Sequence, residues 1–363
     1  MKPVLFATGH VPAYRAGALA RLHEREGLEV ALFGGSSRHG GAGVAGELPF
    51  PHRRVSAGEL FGLAASGRHR AVVVPTGGRL ALLAGWGGAR RGRRPLLLWA
   101  SLWAHPRSAA HALSYPPLAR LYRSADAVVT YGPHVSEYVM AHGARNVHVA
   151  PQSVENEFWR GGPLSPPPGG ERATADVRFV FVGRAAPEKG AAVLLEAWRR
   201  SGLRPPAASL VLVGGHPGAP GASTAGDGAA GVVGLDALGP ARLRDVYGAS
   251  DVLVVPSIQT RTFREPWGLV VNEAMDRGLS VIASDAVGAA AGGLVRDGQT
   301  GLVVPAGDAQ ALAGALTRLA GDAPLRRRLG AAGEREVLAY SHEAWADGFS
   351  RALSTLGLSR SHC

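Results

Sequence analysis

Cysteine is almost missing from this sequence: the only one is Cys363, the last of 363 residues. A lone cysteine forms no intrachain disulfide, so stability must come from a buried core, and a reducing compartment is expected. Lysine is nearly as scarce, with Lys2 and Lys189 the only two among 39 basic residues. Aromatic residues make up just 6%, and no apolar run approaches the length a membrane-crossing helix needs. The opening MKPVLFATGH holds one lysine and a short apolar stretch that His10 ends. That is too little for a signal peptide and reads as a first strand, so a cytoplasmic location is expected.

What is present describes a globular protein. Apolar residues account for 46% and charged residues for 18%, while 51 glycines and 25 prolines mark many tight turns. A chain this long exceeds one typical core, and two domains are expected. The net charge of +11 is uneven: residues 1–162 hold 19 basic against 9 acidic side chains, the remainder 20 against 19. Arginine bias explains the choice of cation but not its concentration in one half. A basic half points to an anionic partner: a phosphorylated acceptor, the inner face of a membrane, or nucleic acid. Nucleic acid is set aside, because no recognised module or aromatic platform accompanies the charge.

Short β-rich runs alternate with helical patterns throughout, which predicts α/β layers with mostly parallel strands. Strands are expected at PVLFAT, EVALFGG, AVVVP, LLLWAS, AVVTYG and VHVAPQ, and again at RFVFVGR, SLVLVGG, DVLVVPS and SVIASD. A Pro- and Gly-rich stretch interrupts the rhythm. The expected division is therefore an N-terminal domain over 1–162, a linker over 163–177, a second domain over 178–340, and a C-terminal helix over 341–363 that packs back on the first domain. Two Rossmann-like, doubly wound sheets of this kind are expected to face each other and bind ligand in the interdomain cleft, outside the carboxyl ends of their strands.

Two stretches carry chemistry. In FVGRAAPEKGAAVLLEAW, Gly183 and Arg184 end a strand while Lys189 and Gly190 precede a helix. Two cations beside unpaired helix amides suit a diphosphate, Arg184 as a planar fork and Lys189 as a point charge; the bland reading is an ordinary turn. In REPWGLVVNEAMDRG, Glu265 precedes a Pro-Trp-Gly turn and Glu273 follows eight positions later, about 12 Å away if the whole stretch were helical. Gly268 allows close ligand approach, and carboxylates accept bonds from sugar hydroxyls or a vicinal diol. The alternative for Glu273 is a surface pair with Arg277 at i,i+4.

With GLSVIASD, DGQTGLVVPAGD and YGPHVSEYVMAHGARNVHVAPQSVENEFW, these motifs together resemble the retaining glycosyltransferases of family four, which have the GT-B fold. The resemblance covers the second half in order and reaches into the first. It implies that Arg184 and Lys189 bind the donor diphosphate and that Glu265 contacts the donor sugar. The backbone of Trp267, Gly268, Leu269 and Val270 would hold sugar hydroxyls and phosphate, with Gly183 at the strand end, and Glu273 would hold the ribose. Family members often carry a histidine at the position of His105, facing the sugar, with Trp103 beside it; the bland reading is one satisfied histidine among thirteen. His10, Arg15 and Gly17 fall on the acceptor side, where RAG departs from the glycine pair common in relatives. AAAGGLV also lacks an acidic residue that relatives often show.

No Asp-x-Asp occurs in the sequence, so no metal and no cofactor are expected. The reading is hexosyl transfer with retention from a nucleotide-diphosphate sugar, a UDP-sugar by default, to an anionic or membrane-associated acceptor. Glu265, His105, Arg184 and Lys189 are its catalytic candidates. Rivals are an inverting transferase or nucleotide-sugar epimerase on the same fold, and a non-catalytic basic membrane-docking protein. For docking, Leu80, Leu82, Leu83 and Trp86 beside Arg90, Arg91, Arg93 and Arg94 form the candidate surface, against a buried helix with a solvated basic end.

Overall fold

The structure is a computed structural model that describes residues 1–34, 47–105, 109–162, 177–215 and 231–360, without the side chains of 109–115. The chain divides into two compact units, Met1–Glu155 with Tyr340–Cys363, and Asn156–Ala339. The division at 155/156 comes earlier in the chain than the proline-rich stretch at which the sequence was divided. Residues 163–176 of the expected linker and Cys363 lie outside the described residues.

The first unit holds seven strands: β1 (Val4–Thr8), β2 (Leu28–Leu32), β3 (His52–Arg54), β4 (Ala71–Pro75), β5 (Leu96–Ala100), β6 (Ala127–Thr130) and β7 (Val147–Val149). They form one parallel sheet in the order β3-β2-β1-β4-β5-β6-β7. Central strands read as unbroken apolar runs, since helices cover both faces of such a sheet. All five residues of β1 are buried. Strand β3, sequence HRR, is exposed along its length and sits at the edge, which is why no apolar pattern announces it.

Helix His342–Ser354 belongs to this unit. Ser341 caps it by accepting a bond from the amide of Ala344, 3.2 Å. Its Trp345 and Phe349 are fully buried against Phe6 and Trp99, with Trp345 and Phe349 centroids 4.5 Å apart. The residues beyond are pinned too. Buried Glu26 accepts bonds from Arg70 Nη2 (2.7 Å), Ser359 Oγ (2.9 Å) and the amide of Arg360 (3.0 Å). Arg70 in turn donates to the carbonyl of Leu358.

The second unit holds β8 (Val177–Val182), β9 (Ala208–Val213), β10 (Val232–Leu235), β11 (Val252–Val255), β12 (Ser280–Ser284) and β13 (Leu302–Val304), parallel in the order β10-β9-β8-β11-β12-β13. Helices Ala191–Ser201 and Ala309–Gly321 pack on one face, bringing Trp198 within 5.8 Å of Phe179. Both helices run over the residues their apolar period predicts. The short edge strand β10 was not expected from the sequence. The strand order reverses between neighbours β8 and β11, and the loops that leave these two strands meet there.

Candidate functional site

The amide of Gly183 donates to the carbonyl of Val213 and so extends the ladder one residue past β8. The chain then makes one 3-10 turn, Pro187–Lys189, and enters helix Ala191–Ser201 through Gly190. Gly190 is left-handed, φ +74°, and a Cβ there would fall 1.9 Å from the carbonyl oxygen of Pro256. Only glycine fits, and the loop is thereby pressed against the exit of β11. A bond from the amide of Ile258 to the carbonyl of Glu188, 2.9 Å, closes the same seam.

This packing carries Lys189 to Glu265, whose residues are 76 positions apart: Nζ to Oε2 is 2.5 Å. Glu265 is 7% exposed, and an unpaired buried carboxylate would be costly. Arg184 lies on the open side, half exposed, with Nη2 3.3 Å from Glu188 Oε1. The predicted cations thus differ in setting: Lys189 is held by buried Glu265, whereas Arg184 is half exposed and beside Glu188.

Glu265 lies in extended backbone, bridged to Val287, and its carbonyl accepts from the amide of Gly288 at 3.1 Å. The helix that follows the Pro-Trp-Gly turn begins at Val270 and ends at Met275, so Glu265 lies outside it. A helical rise between Glu265 and Glu273 therefore does not apply. Gly268 is left-handed, φ +91°, and turns the chain into that helix. Trp267 is 2% exposed, and its Nε1 donates to Asn272 Oδ1 at 2.8 Å. The indole braces the turn, while Gly268, Leu269 and Val270 remain partly open.

Glu273 does not pair with Arg277, which instead donates to the carbonyls of Arg160 and Gly161. Its partner is Tyr247, fully buried on helix Pro240–Gly248, whose Oη donates to Oε2 at 2.9 Å. Burial raises the Glu273 carboxyl to about 7, opposed by the tyrosine bond and reinforced by Asp276. Asp276 is likewise raised to about 7 by burial, against the bonds from Asn156 Nδ2 at 3.1 and 3.0 Å. Tyr247, Asn272 and Asn156 were not foreseen. Tyr247 reads as one more apolar-face residue, and the asparagines stand inside the quoted motifs with nothing in the sequence to single them out.

The acceptor-side candidates lie in the first unit. His105 is partly buried, Nδ1 3.2 Å from Tyr138 Oη, and Trp103 meets His134 edge-on at 5.0 Å. The carbonyl of His10 accepts from Thr8 Oγ1. Arg15 is 4% exposed and bonded to Gln152. At Gly17 a Cβ would fall 2.5 Å from Nδ1 of His342, so His342 fills the space a side chain would need. In helix Arg79–Arg91, Leu82 is buried while Leu80 and Leu83 are exposed, so the run is neither wholly core nor wholly surface.

Residues 176–322 match the sequence model of the family described as Glycosyl transferases group 1. The matched residues all fall within the second unit. Among curated relatives, a D-inositol 3-phosphate glycosyltransferase of Rhodococcus opacus is 38% identical over 195 residues, which are 50% of this chain and 42% of that protein. A phosphatidyl-myo-inositol mannosyltransferase of Mycobacterium leprae is 39% identical over 113 residues, 31% of this chain and 29% of that one. The chain spans less than half the length of the curated relatives it matches. Among solved structures, Anabaena Alr3699/HepE in complex with UDP and glucose superposes with TM-score 0.73 at 17% identity, covering 98% of this chain and 100% of that one. Sucrose-phosphate synthase of Thermosynechococcus elongatus gives 0.71 at 22%, covering 98% and 99%. The expected α/β fold of GT-B type is thus the observed one, and the resemblance to family-four glycosyltransferases holds.

Proposed function

We propose that the chain transfers a sugar from a nucleotide-diphosphate donor to a hydroxyl of a phosphorylated acceptor, with retention and without a metal. The observation that carries this reading is the Lys189–Glu265 pair, because it joins the expected diphosphate cation to the expected sugar contact inside a group 1 domain. The UDP and glucose in the Anabaena structure support a UDP-sugar donor, and the inositol-phosphate relatives support a phosphorylated acceptor.

In this reading Arg184 and Lys189 receive the charge that develops on the departing diphosphate, stabilisation of the kind that usually dominates catalysis. The bond between the anomeric carbon and the donor phosphate oxygen breaks as the acceptor oxygen bonds to the same face. The acceptor's hydroxyl proton passes to the departing phosphate oxygen. Glu265 releases part of its hold on Lys189 to accept sugar hydroxyls. Glu273, backed by Tyr247, accepts the ribose diol. His105 and the other residues of the first unit serve the acceptor and the sugar.

Thermal-shift screening against nucleotide sugars tests the donor, because a ligand that binds the folded state raises its melting temperature. NMR of the product anomer then tests retention. No shift with any nucleotide sugar, or an inverted product, defeats the corresponding part.

A further inference from the structure

Arg15 is a cation in the wrong surroundings. It is 4% exposed, yet among the described residues no carboxylate pairs with it, and its Nη1 has no partner. One bond, from Nη2 to Gln152 Oε1, anchors the guanidinium. Three aromatic rings surround it, Trp345 at 5.2 Å and Trp99 and Tyr14 at 5.5 Å each. Ring faces offset part of the cost of burial, but they satisfy no N–H group. The indole Nε1 atoms of Trp99 and Trp345 are buried and have no partner among the described residues either. So three side chains in mutual contact hold three unspent donors and one positive charge.

Buried polar groups are hydrogen-bonded in all but a few cases, so a cluster of orphans calls for an absent acceptor. Here every orphan of the cluster donates, and the complement is an oxyanion with several acceptor oxygens. The fold places it suitably: Arg15 follows the exit of β1, Trp99 is the penultimate residue of β5, and Gln152 lies just past β7. All three sit at the carboxyl ends of parallel strands, where open α/β sheets bind ligands. Tyr14, more than a third exposed, covers the guanidinium from outside, and such side chains change rotamer freely.

We infer that Arg15, Trp99, Trp345 and Gln152 form a subsite of the first unit for a phosphate-like oxyanion. Its place in catalysis, as the seat of the acceptor's anionic group, rests on the transfer reading; the binding itself does not. The departure of RAG from a glycine pair then has a purpose, because it supplies the guanidinium.

The test follows melting temperature and tryptophan emission while inorganic phosphate is titrated against chloride at matched ionic strength. Wild type should show a saturable rise in melting temperature with phosphate alone, together with a change in emission. Arg15→Met should lose both. Arg15→Lys keeps the charge without the fork and should need at least about tenfold more phosphate; it carries the test if the methionine variant does not fold. Equal responses to phosphate and chloride, or a lysine variant indistinguishable from wild type, would overturn the subsite. D-inositol 3-phosphate saturating below inorganic phosphate assigns the site to the acceptor, and equal saturation assigns it to a free anion; both support an oxyanion site. A separate titration with UDP reports on the second unit, so loss of that response defeats the donor reading while leaving this one standing.

Discussion

Glu273 loses its proton near pH 7 in the folded chain, against an ordinary value of 4.5. Between these values the unfolded chain has released the proton and the folded one has kept it. The contribution to stability is therefore full below about pH 4.5, declines as pH rises toward 7, and is flat above. Asp276 works in the same direction, so Glu273→Gln should flatten part of this decline, read as melting temperature against pH. The functional consequence has the opposite sense. An ionised carboxylate accepts both hydroxyls of a diol, so UDP should bind more tightly at pH 8 than at pH 6. Calorimetry on Glu273→Gln should find weaker binding that no longer varies with pH. In the proposed transfer reading, removal of the Lys189 ammonium takes away a fixed donor to the leaving group. Lys189→Ala should lower kcat by about 10²–10³-fold with UDP-sugar donor, and an unchanged kcat would exclude the residue from the chemistry. Both residues could be picked out in the sequence because a charge stood among apolar neighbours or next to glycine. The tyrosine behind Glu273 could not, since what sets Tyr247 apart is an oxygen at the far end of a buried ring.

At the scale of elements, two left-handed glycines separate backbone strain from crowding. Gly202 has φ +67° and open space where a Cβ would go, while Gly190 has φ +74° and the Pro256 carbonyl in the way. Gly202→Ala should cost about 1 kcal/mol, the penalty of the conformation alone. Gly190→Ala should cost upwards of about 2 kcal/mol, because the β11 exit must also move. Denaturant midpoints at constant slope decide it, and equal losses would show that the loop yields to a methyl group. Elements of this kind were legible where burial was regular. Helices Ala191–Ser201 and Ala309–Gly321 show a clean apolar stripe, and the central strands are continuous apolar runs. Strand β3 carries three exposed residues, and the helix after Gly268 shrinks because Trp267 and the bridge to Val287 hold the preceding chain extended. Long-range pairing decided both, and local sequence does not encode it.

For the whole molecule, the informative feature is that two units share one chain with two crossings, at 155/156 and 339/340. The second unit has its own sheet and apolar core, so residues 156–339 made alone should melt cooperatively and be stabilised by UDP. Failure to fold would mean that its stability depends on the remainder of the chain. Among the described residues no helix is long and apolar enough to cross a membrane. The motifs of the second half carried the resemblance, since they set residue types at fixed spacing in one continuous stretch of chain. The proposed oxyanion cluster of the first unit stayed hidden, because Arg15, Trp99, Gln152 and Trp345 converge from four distant places.

The tether of Glu26 to Ser359 and Arg360 has a consequence for how the chain is made. A ribosome delivers the strands of the first sheet early, but the helix that seals Phe6 and Trp99, and the residues that satisfy the Glu26 carboxylate, emerge only after the entire second unit. The unit begun first is thus the one finished last, and during synthesis its aromatic face must wait uncovered while its neighbour is already complete.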